Sequence, residues 1–387
     1  MDAEFLADAF AAYARLREQC PVHRAVAPDG APVWLVTRYA EVRAGLTDPR
    51  LSLDRENSRT GYRGFSLPAA LDANLLNMDP PEHARLRRIL TQAFTASRAT
   101  PSRSRVQAIA DELLDALPAH GSTDLLDSFA APLPITVICE LLGVPERDRA
   151  DFRDWSDAML APDPEKPDLA RDAVLSLHQF LIGLLADKRA APADDLLSAL
   201  VTAGDEHDRL SEEELTSAAF LVLFAGYENT VSLIGNGVAA LLSRPAALAK
   251  LRAEPESLPS AVHELLRFEP PPQLAIRRFA LWDLEIGGHT IPAGDTVLLS
   301  LASANRDTAE FAEPDTLRLD RADNRHLGFG HGPHFCIGAS LAQLEVEIGI
   351  GTLLRRLPDL ALAVPSAELE WRPSFRNRGL RRLPVTF

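Results

Sequence analysis

The stretch Phe329-Gly330-His331-Gly332-Pro333-His334-Phe335-Cys336-Ile337-Gly338 decides how this chain is read. It sets one cysteine in a tight loop, and a helical pattern, Ala339-Ser340-Leu341-Ala342-Gln343-Leu344-Glu345-Val346-Glu347, follows at once. Gly330, Gly332 and Gly338 permit close approaches that a Cβ would forbid, and Pro333 stiffens the loop. A thiol just ahead of a helix start feels the positive end of the helix dipole, which favours the thiolate. Phe329 and Phe335 are expected to keep water off the sulfur. A single cysteine beside a turn would ordinarily be read as a structural residue, so the weight rests on the pattern as a whole.

That pattern resembles the haem loop of the cytochromes P450, with Phe329, Gly330, Gly332, His334, Cys336 and Gly338 at the family's spacing. The resemblance implies that Cys336 ligates the iron of haem b, with Phe329 and Gly338 in the cofactor site. A thiolate axial ligand donates electron density that favours O–O cleavage.

Two further patterns extend the resemblance. Glu264-Leu265-Leu266-Arg267, about 70 residues before the loop, puts a carboxylate and a guanidinium on one helix face. On its own such a pair is a weak surface contact. As the family's Glu-x-x-Arg motif it implies a buried structural pair, tied to the segment before the cysteine through Arg321 or its neighbours. The resemblance also matches four cations to the haem propionates: His83 and Arg87 at i, i+4, then Arg278 and His334. Charge-assisted bonds to carboxylates are among the stronger polar contacts.

Ser211–Ser243 is the longest helical candidate, opened by the capping box Ser211-Glu212-Glu213-Glu214. It contains Ala225-Gly226-Tyr227-Glu228-Asn229-Thr230, where small Ala225 and Gly226 leave room over a flat ligand. Leu221 and Val222 share the stripe of Ala225 and Asn229. The family's usual motif has Thr directly after the acid; here Asn229 stands there and Thr230 follows, turned about 100° round the helix. Asn can hold a water but cannot pass a proton through a hydroxyl. Some macrolide hydroxylases of the family also lack this Thr and draw on a substrate hydroxyl. The run Val231–Gly235 and the ending Trp371–Phe375 through Leu383–Val385 resemble those enzymes. Proton delivery is therefore assigned to Glu228, an Asn229-held water and a polar group of the substrate.

Elsewhere, helical periods are read at Phe5–Gln19, Tyr39–Leu46, Glu82–Ser97, Ser102–Ala116, Pro134–Leu142, Pro145–Leu160, Leu169–Arg189, Pro245–Ala253 and Pro259–Phe268. Strands are read at Val33–Thr37, Ala275–Leu281, Leu284–Ile286 and Thr296–Leu299, with hairpin signals at Gly287-Gly288 and Pro292–Asp295. The fold class is mainly α with a small β region. The resemblance implies one cytochrome P450 domain over 1–387, β-rich near 22–50 and 272–300, with a helical core over 82–268 and 339–357. Haem is expected between the long distal helix and the helix after the Cys loop. The 54–78 loop, the Trp155–Pro167 turn, Gln273, Leu274, Ile276 and Phe375 complete the expected pocket.

Composition narrows the partners. The net charge of −15 argues against nucleic acid. Cys20, Cys139 and Cys336 form no disulfide framework, and Cys139 is expected in the core. The N-terminus carries neither a basic region nor a long apolar span, so no leader or membrane anchor is expected, and the reading is a cytoplasmic monomer. Between Glu82 and Arg105 six arginines face one Glu, and a basic face with Arg85, Arg88 and Arg98 is a candidate dock for a ferredoxin. The resemblance implies a monooxygenase fed with O2 and with NAD(P)H electrons through a ferredoxin and its reductase, acting on a macrolide, another polyketide or a comparable natural product. Epoxidation, desaturation, coupling or peroxide-driven oxidation at the same haem is the alternative. A non-enzymatic recruitment domain is disfavoured, because such relatives lose the haem cysteine.

Overall fold

The computed structural model describes residues 5, 8–27, 29–59, 71, 74–96, 101–118, 120–160, 167–203 and 209–387. Its helices, in chain order, are α1 (Ala9–Gln19), α2 (Tyr39–Gly45), α3 (Glu82–Ala96), α4 (Arg103–Asp115), α5 (Pro132–Leu142), α6 (Arg149–Leu160), α7 (Pro167–Ala190), α8 (Leu196–Thr202), α9 (Glu212–Leu242), α10 (Pro245–Ala253), α11 (Leu258–Phe268), α12 (Leu301–Ala304) and α13 (Ala339–Arg356). The strands are β1 (Val22–Val26), β2 (Pro32–Val36), β3 (Leu51–Ser52), β4 (Ser122–Asp124), β5 (Arg278–Ala280), β6 (Leu284–Ile286), β7 (His289–Ile291), β8 (Thr296–Leu299), β9 (Ala361–Leu362) and β10 (Pro384–Thr386). The mainly helical class with a small β region is what the resemblance implies.

The chain divides into two compact units. The first comprises Met1–Gly64, Leu117–Ser128 and Ser232–Phe387. Its five-stranded sheet runs β1-β2-β8-β5-β3. β2 and β8 pair in parallel, Val33 opposite Thr296 and Val36 opposite Leu299, and the other neighbours are antiparallel. Burying Val36, Val297 and Leu299 against Tyr39, Phe311 and Leu327 gives the sheet a dry core. Each such side chain contributes about 1.5–3 kcal/mol by leaving water. The β6–β7 hairpin closes on Gly287 and Gly288, at φ 54° and 77°. A two-residue turn that matches the strand twist needs φ > 0 at both positions, which glycine supplies without strain.

A column of alternating cations and rings ties α1 to α11 and the C-terminal segment. Arg306 lies 3.9 Å from the Phe268 ring and 4.2 Å from Phe10; Arg378 lies 3.5 Å from Trp371 and 5.1 Å from Phe10; Arg244 lies 4.6 Å from Phe268. Contacts of this kind contribute about 0.5–2 kcal/mol each, most where both partners are buried, as for Arg306 and Phe268.

The second unit comprises Phe65–Ala116 and Phe129–Val231. In it α6 packs on α7, α8 packs against α3, α5 and α7, and α4 packs on α5. The capping box at the start of α9 forms as read: Ser211 N–H donates to Glu214 Oε2 (2.8 Å) and Glu214 N–H to Ser211 Oγ (3.2 Å). Glu214 Oε1 in turn accepts from Arg85.

Several boundaries differ from the sequence reading. The strand expected over Ala275–Leu281 shortens to Arg278–Ala280: Leu274 forms an isolated bridge with Ser300, and a bend at Ile276 interrupts the pairing before Arg278. The helix expected from Pro145 begins as a 3-10 turn at Glu146–Asp148. The seven-residue α8 is too short to show a period and was not expected. Asp168–Ala190 and Glu212–Leu242 are long and apolar enough to cross a membrane by length and composition. For the latter, 67% of its most apolar window is buried, which is the signature of a core helix. Cys139 is buried in α5, and burial pushes its thiol up to about 12.

Candidate active site

In the first unit the cysteine loop is held by its own backbone. Cys336 N–H donates to the Phe329 carbonyl at 2.9 Å, Phe335 N–H to Gly332, and Gly330 N–H to Leu327. Gly330 and Gly332 adopt φ 75° and 72°. A Cβ at Gly332 would meet Thr47 Cγ2 at 2.4 Å, so both the backbone and the space require glycine. Cys336 stands three residues before α13, whose N-cap is Gly338. Cys336 and Phe335 are exposed on the polypeptide and Phe329 is half-buried, with the two rings 6.2 Å apart beside the loop. The thiol is thus presented outward by the polypeptide.

Behind the loop, Glu264 and Arg267 are fully buried and joined by two bonds, Nε to Oε2 (2.7 Å) and Nη2 to Oε1 (2.8 Å). Glu264 also accepts from Arg318 N–H (2.9 Å), Arg321 Nε (3.1 Å) and Asn324 Nδ2 (3.2 Å). Arg267 donates to the carbonyls of Asn305, Pro314 and Thr316. One ion pair therefore fastens α11 to the irregular segment leading into the loop, and Arg321 is one of its links.

Arg278 is buried at the start of β5, where Nε and Nη2 donate to the carbonyls of Gly45 and Leu46 at the end of α2. Its neighbour Arg277 lies over Phe279. His334 closes the 3-10 turn Gly332–His334, two residues before Cys336. Gln273 is buried, with Nε2 donating to the Ser374 carbonyl. Leu274 packs with Phe5, Tyr13 and Leu298, and Phe375 leans on that same cluster. Ile276 is half-buried.

In the second unit His83 is buried at the start of α3, with Arg87 one turn on. Burial first, and then the Arg87 charge, holds His83 below its ordinary range. On α9, Ala225 is exposed and Gly226 half-buried, and a Cβ on Gly226 would meet Ile138 at 3.3 Å. Two side chains bond back onto this turn: Asn229 Nδ2 to the Ala225 carbonyl (3.2 Å) and Thr230 Oγ1 to Gly226 (2.8 Å). The buried Oδ1 of Asn229 has no hydrogen-bond partner among the described residues. Glu228 is half-buried beside it, Leu221 is buried and Val222 half-buried. Tyr227 Oη donates to Asp157 on α6 at 2.5 Å, a link between elements 70 residues apart that no local pattern announces.

The arginine face is less free than its charge count suggests. Arg85 is engaged by Glu214, and Arg105 by Glu140 and Glu112; Arg88 is exposed. Arg98 lies outside the described residues, as do parts of the expected pocket, 60–70, 72–73 and 161–166.

The donor chemistry fits a haem. Among the described residues no three His, Cys, Asp or Glu gather to hold a metal ion. A metal at Cys336 would have fewer than three such protein ligands among the described residues, which suits an iron already held by a macrocycle. In the first unit an exposed cysteine loop anchored by a buried ion pair, and in the second an apolar helix with a small-residue turn, are the elements a haem-thiolate oxidoreductase uses. The family model described as Cytochrome P450 matches residues 151–358, and the chain belongs to that family. It is 49% identical to the cytochrome P450 monooxygenase PikC of Streptomyces venezuelae over 99% of this chain and 92% of that protein. It is 47% identical to a vitamin D(3) 25-hydroxylase of Pseudonocardia autotrophica, over 97% and 93%. The solved structure of PksS, a cytochrome P450 of the Bacillus subtilis bacillaene polyketide synthase, superposes with a TM-score of 0.92 at 38% identity, covering 100% and 98%. The chain is thus a P450 monooxygenase, which works with haem b, O2 and electrons drawn from NAD(P)H.

Proposed function

We propose that this monooxygenase hydroxylates a medium or large natural product, a macrolide or other polyketide first, with Cys336 as the thiolate ligand of its haem. The Cys336 loop, its glycines and backbone bonds presenting the sulfur just ahead of α13, is the observation that carries the ligand assignment. Bound haem would supply O2 binding and reductive O–O cleavage, which a thiolate ligand favours. His83, Arg87, Arg278 and His334 bind the propionates by charge-assisted bonds. Phe329 and Gly338 face the cofactor. Glu264 and Arg267 keep the loop in register.

Asn229 is the distinguishing residue. One of its two Nδ2 hydrogens goes to the Ala225 carbonyl, and its Oδ1, an amide oxygen, is placed to accept from a water or a substrate hydroxyl. Glu228 passes its proton to the water or hydroxyl held there, and Thr230, whose hydroxyl donates to the Gly226 carbonyl, stays out of the relay. The polyketide assignment is supported by the likeness to PksS; the vitamin D(3) hydroxylase makes a terpenoid-type scaffold the runner-up. The family resemblance assigns Leu221, Val222, Gln273, Leu274, Ile276 and Phe375 to substrate contact. A ferredoxin delivers the electrons at a basic face of Arg85, Arg88 and Arg98, in a single cytoplasmic domain.

The test is product analysis under labelled O2 with hydroxyl-bearing and deoxy substrates, comparing wild type with Asn229→Thr. Hydroxylated product carrying one labelled oxygen supports the reading, with deoxy substrate giving more peroxide leakage in the wild type. A desaturated or coupled product without label would refute hydroxylation. Equal coupling on both substrates would refute the role of Asn229.

A further inference from the structure

Ten residues ahead of Cys336, a histidine outside every motif meets a second one. His326 Nε2 lies 2.9 Å from His263 Nδ1, and the rings are 5.2 Å apart. On the other side, Gly328 N–H donates to His326 Nδ1 at 3.1 Å, and the ring lies 6.0 Å from Phe329. These contacts fix the protons. A backbone N–H can only donate, so His326 Nδ1 carries the lone pair and Nε2 carries the hydrogen. His326 therefore donates to His263 Nδ1, and His263 keeps its own proton on Nε2. Both rings are neutral in this chain. Burial first, and then His263 and Arg267, pushes His326 down to about 3, which agrees with that state.

The relay is placed where it can act. His263 precedes Glu264 on α11, so adjacent residues grip adjacent stretches: Glu264 takes 318–324, and His263 takes 326–328. Leu327 N–H donates to Asn305 Oδ1 (2.7 Å), and Arg267 donates to the Asn305 carbonyl. Gly328 is pressed on α11, where a Cβ would meet Leu266 Cγ at 2.5 Å. The next residue, Phe329, is the one whose carbonyl accepts from Cys336 N–H.

We propose that the neutral His263–His326 pair is a positioning device for the thiolate, transmitting the placement of α11 through Gly328 and Phe329 to the Cys336 amide. The inference rests on the haem-thiolate reading above. His326→Asn keeps an acceptor close to the Nδ1 position, whereas His326→Phe keeps the ring and leaves a buried N–H without one. Loss of such an acceptor is expected to cost about tenfold in an equilibrium or rate that depends on the loop.

The experiment has two arms. Selective 15N-histidine NMR of the chain, with and without haem, should show His326 protonated on Nε2 alone between pH 5 and 9. In the loaded protein, the long-wavelength band of the ferrous carbon monoxide complex should decay about tenfold faster in His326→Phe, and within about twofold of wild type in His326→Asn. His263→Phe, which spares the Gly328 contact, should fall between them. A proton on Nδ1 of His326, or equal decay in the Phe and Asn variants, would overturn the proposal. If wild type lacks the long-wavelength band, the haem-thiolate reading fails, while the NMR arm still decides the state of the pair.

Discussion

Replacing Glu264 by Gln tests the anchor behind the thiolate loop with almost no change of shape. The carboxylate accepts five hydrogen bonds, from Arg267 twice and from Arg318, Arg321 and Asn324 once each. Gln keeps one oxygen, turns the other into a donor facing guanidinium donors, and leaves the buried Arg267 charge uncompensated. Breaking one partner of a buried pair costs about 3–5 kcal/mol, against a total stability of about 5–15 kcal/mol. Urea unfolding followed by circular dichroism should show that loss with an unchanged slope, and haem retention should fall with it. Arg318→Ala is the matched control: its link to Glu264 is a backbone N–H and its side chain is 42% exposed, so it should lose less than about 0.5 kcal/mol. A Glu264→Gln cost below about 1 kcal/mol would refute the anchoring argument.

Two further outcomes follow from the loop. Gly332→Ala combines φ 72° with a 2.4 Å approach to Thr47, and should lower the urea midpoint by the equivalent of about 1–3 kcal/mol; an unchanged midpoint would contradict the geometry. His326 has its pKa lowered from 6.5 to about 3, so below about pH 6.5 the unfolded chain binds a proton the folded one refuses. Stability should therefore fall on acidification, by up to about 1.4 kcal/mol per pH unit from this residue, and be flat in pH above that range. His83, shifted the same way, adds to the trend. His326→Asn should remove the larger share, and an identical pH slope in that variant would argue against the shift.

What the sequence discloses follows from how local each signal is. The capping box at Ser211–Glu214, the Gly287–Gly288 turn and the long helices are legible because the residues that make them are neighbours in the chain. The Cys336 loop is legible because one short stretch carries the glycines, the proline and the sulfur together. Contacts made by folding are not. The link of Arg85 to Glu214 spans 129 positions, so a count of arginines overstates the free positive charge near α3. His263 and His326 are 63 residues apart, two of ten histidines, and acquire meaning only when α11 meets the segment before the loop. Arg278 reads as a propionate partner, and only folding shows that it also caps α2 through the carbonyls of Gly45 and Leu46. The short α8 and β3 owe their structure to packing and pairing and carry too few residues for a period.

The most direct measurement is the difference spectrum of the reduced, haem-loaded protein with carbon monoxide, taken on wild type and on Cys336→Ser. Ligation by the Cys336 thiolate predicts the unusually long-wavelength band in the wild type and its disappearance in the variant. A wild-type band at the position given by imidazole-ligated haem, or a long-wavelength band that survives Cys336→Ser, would contradict it.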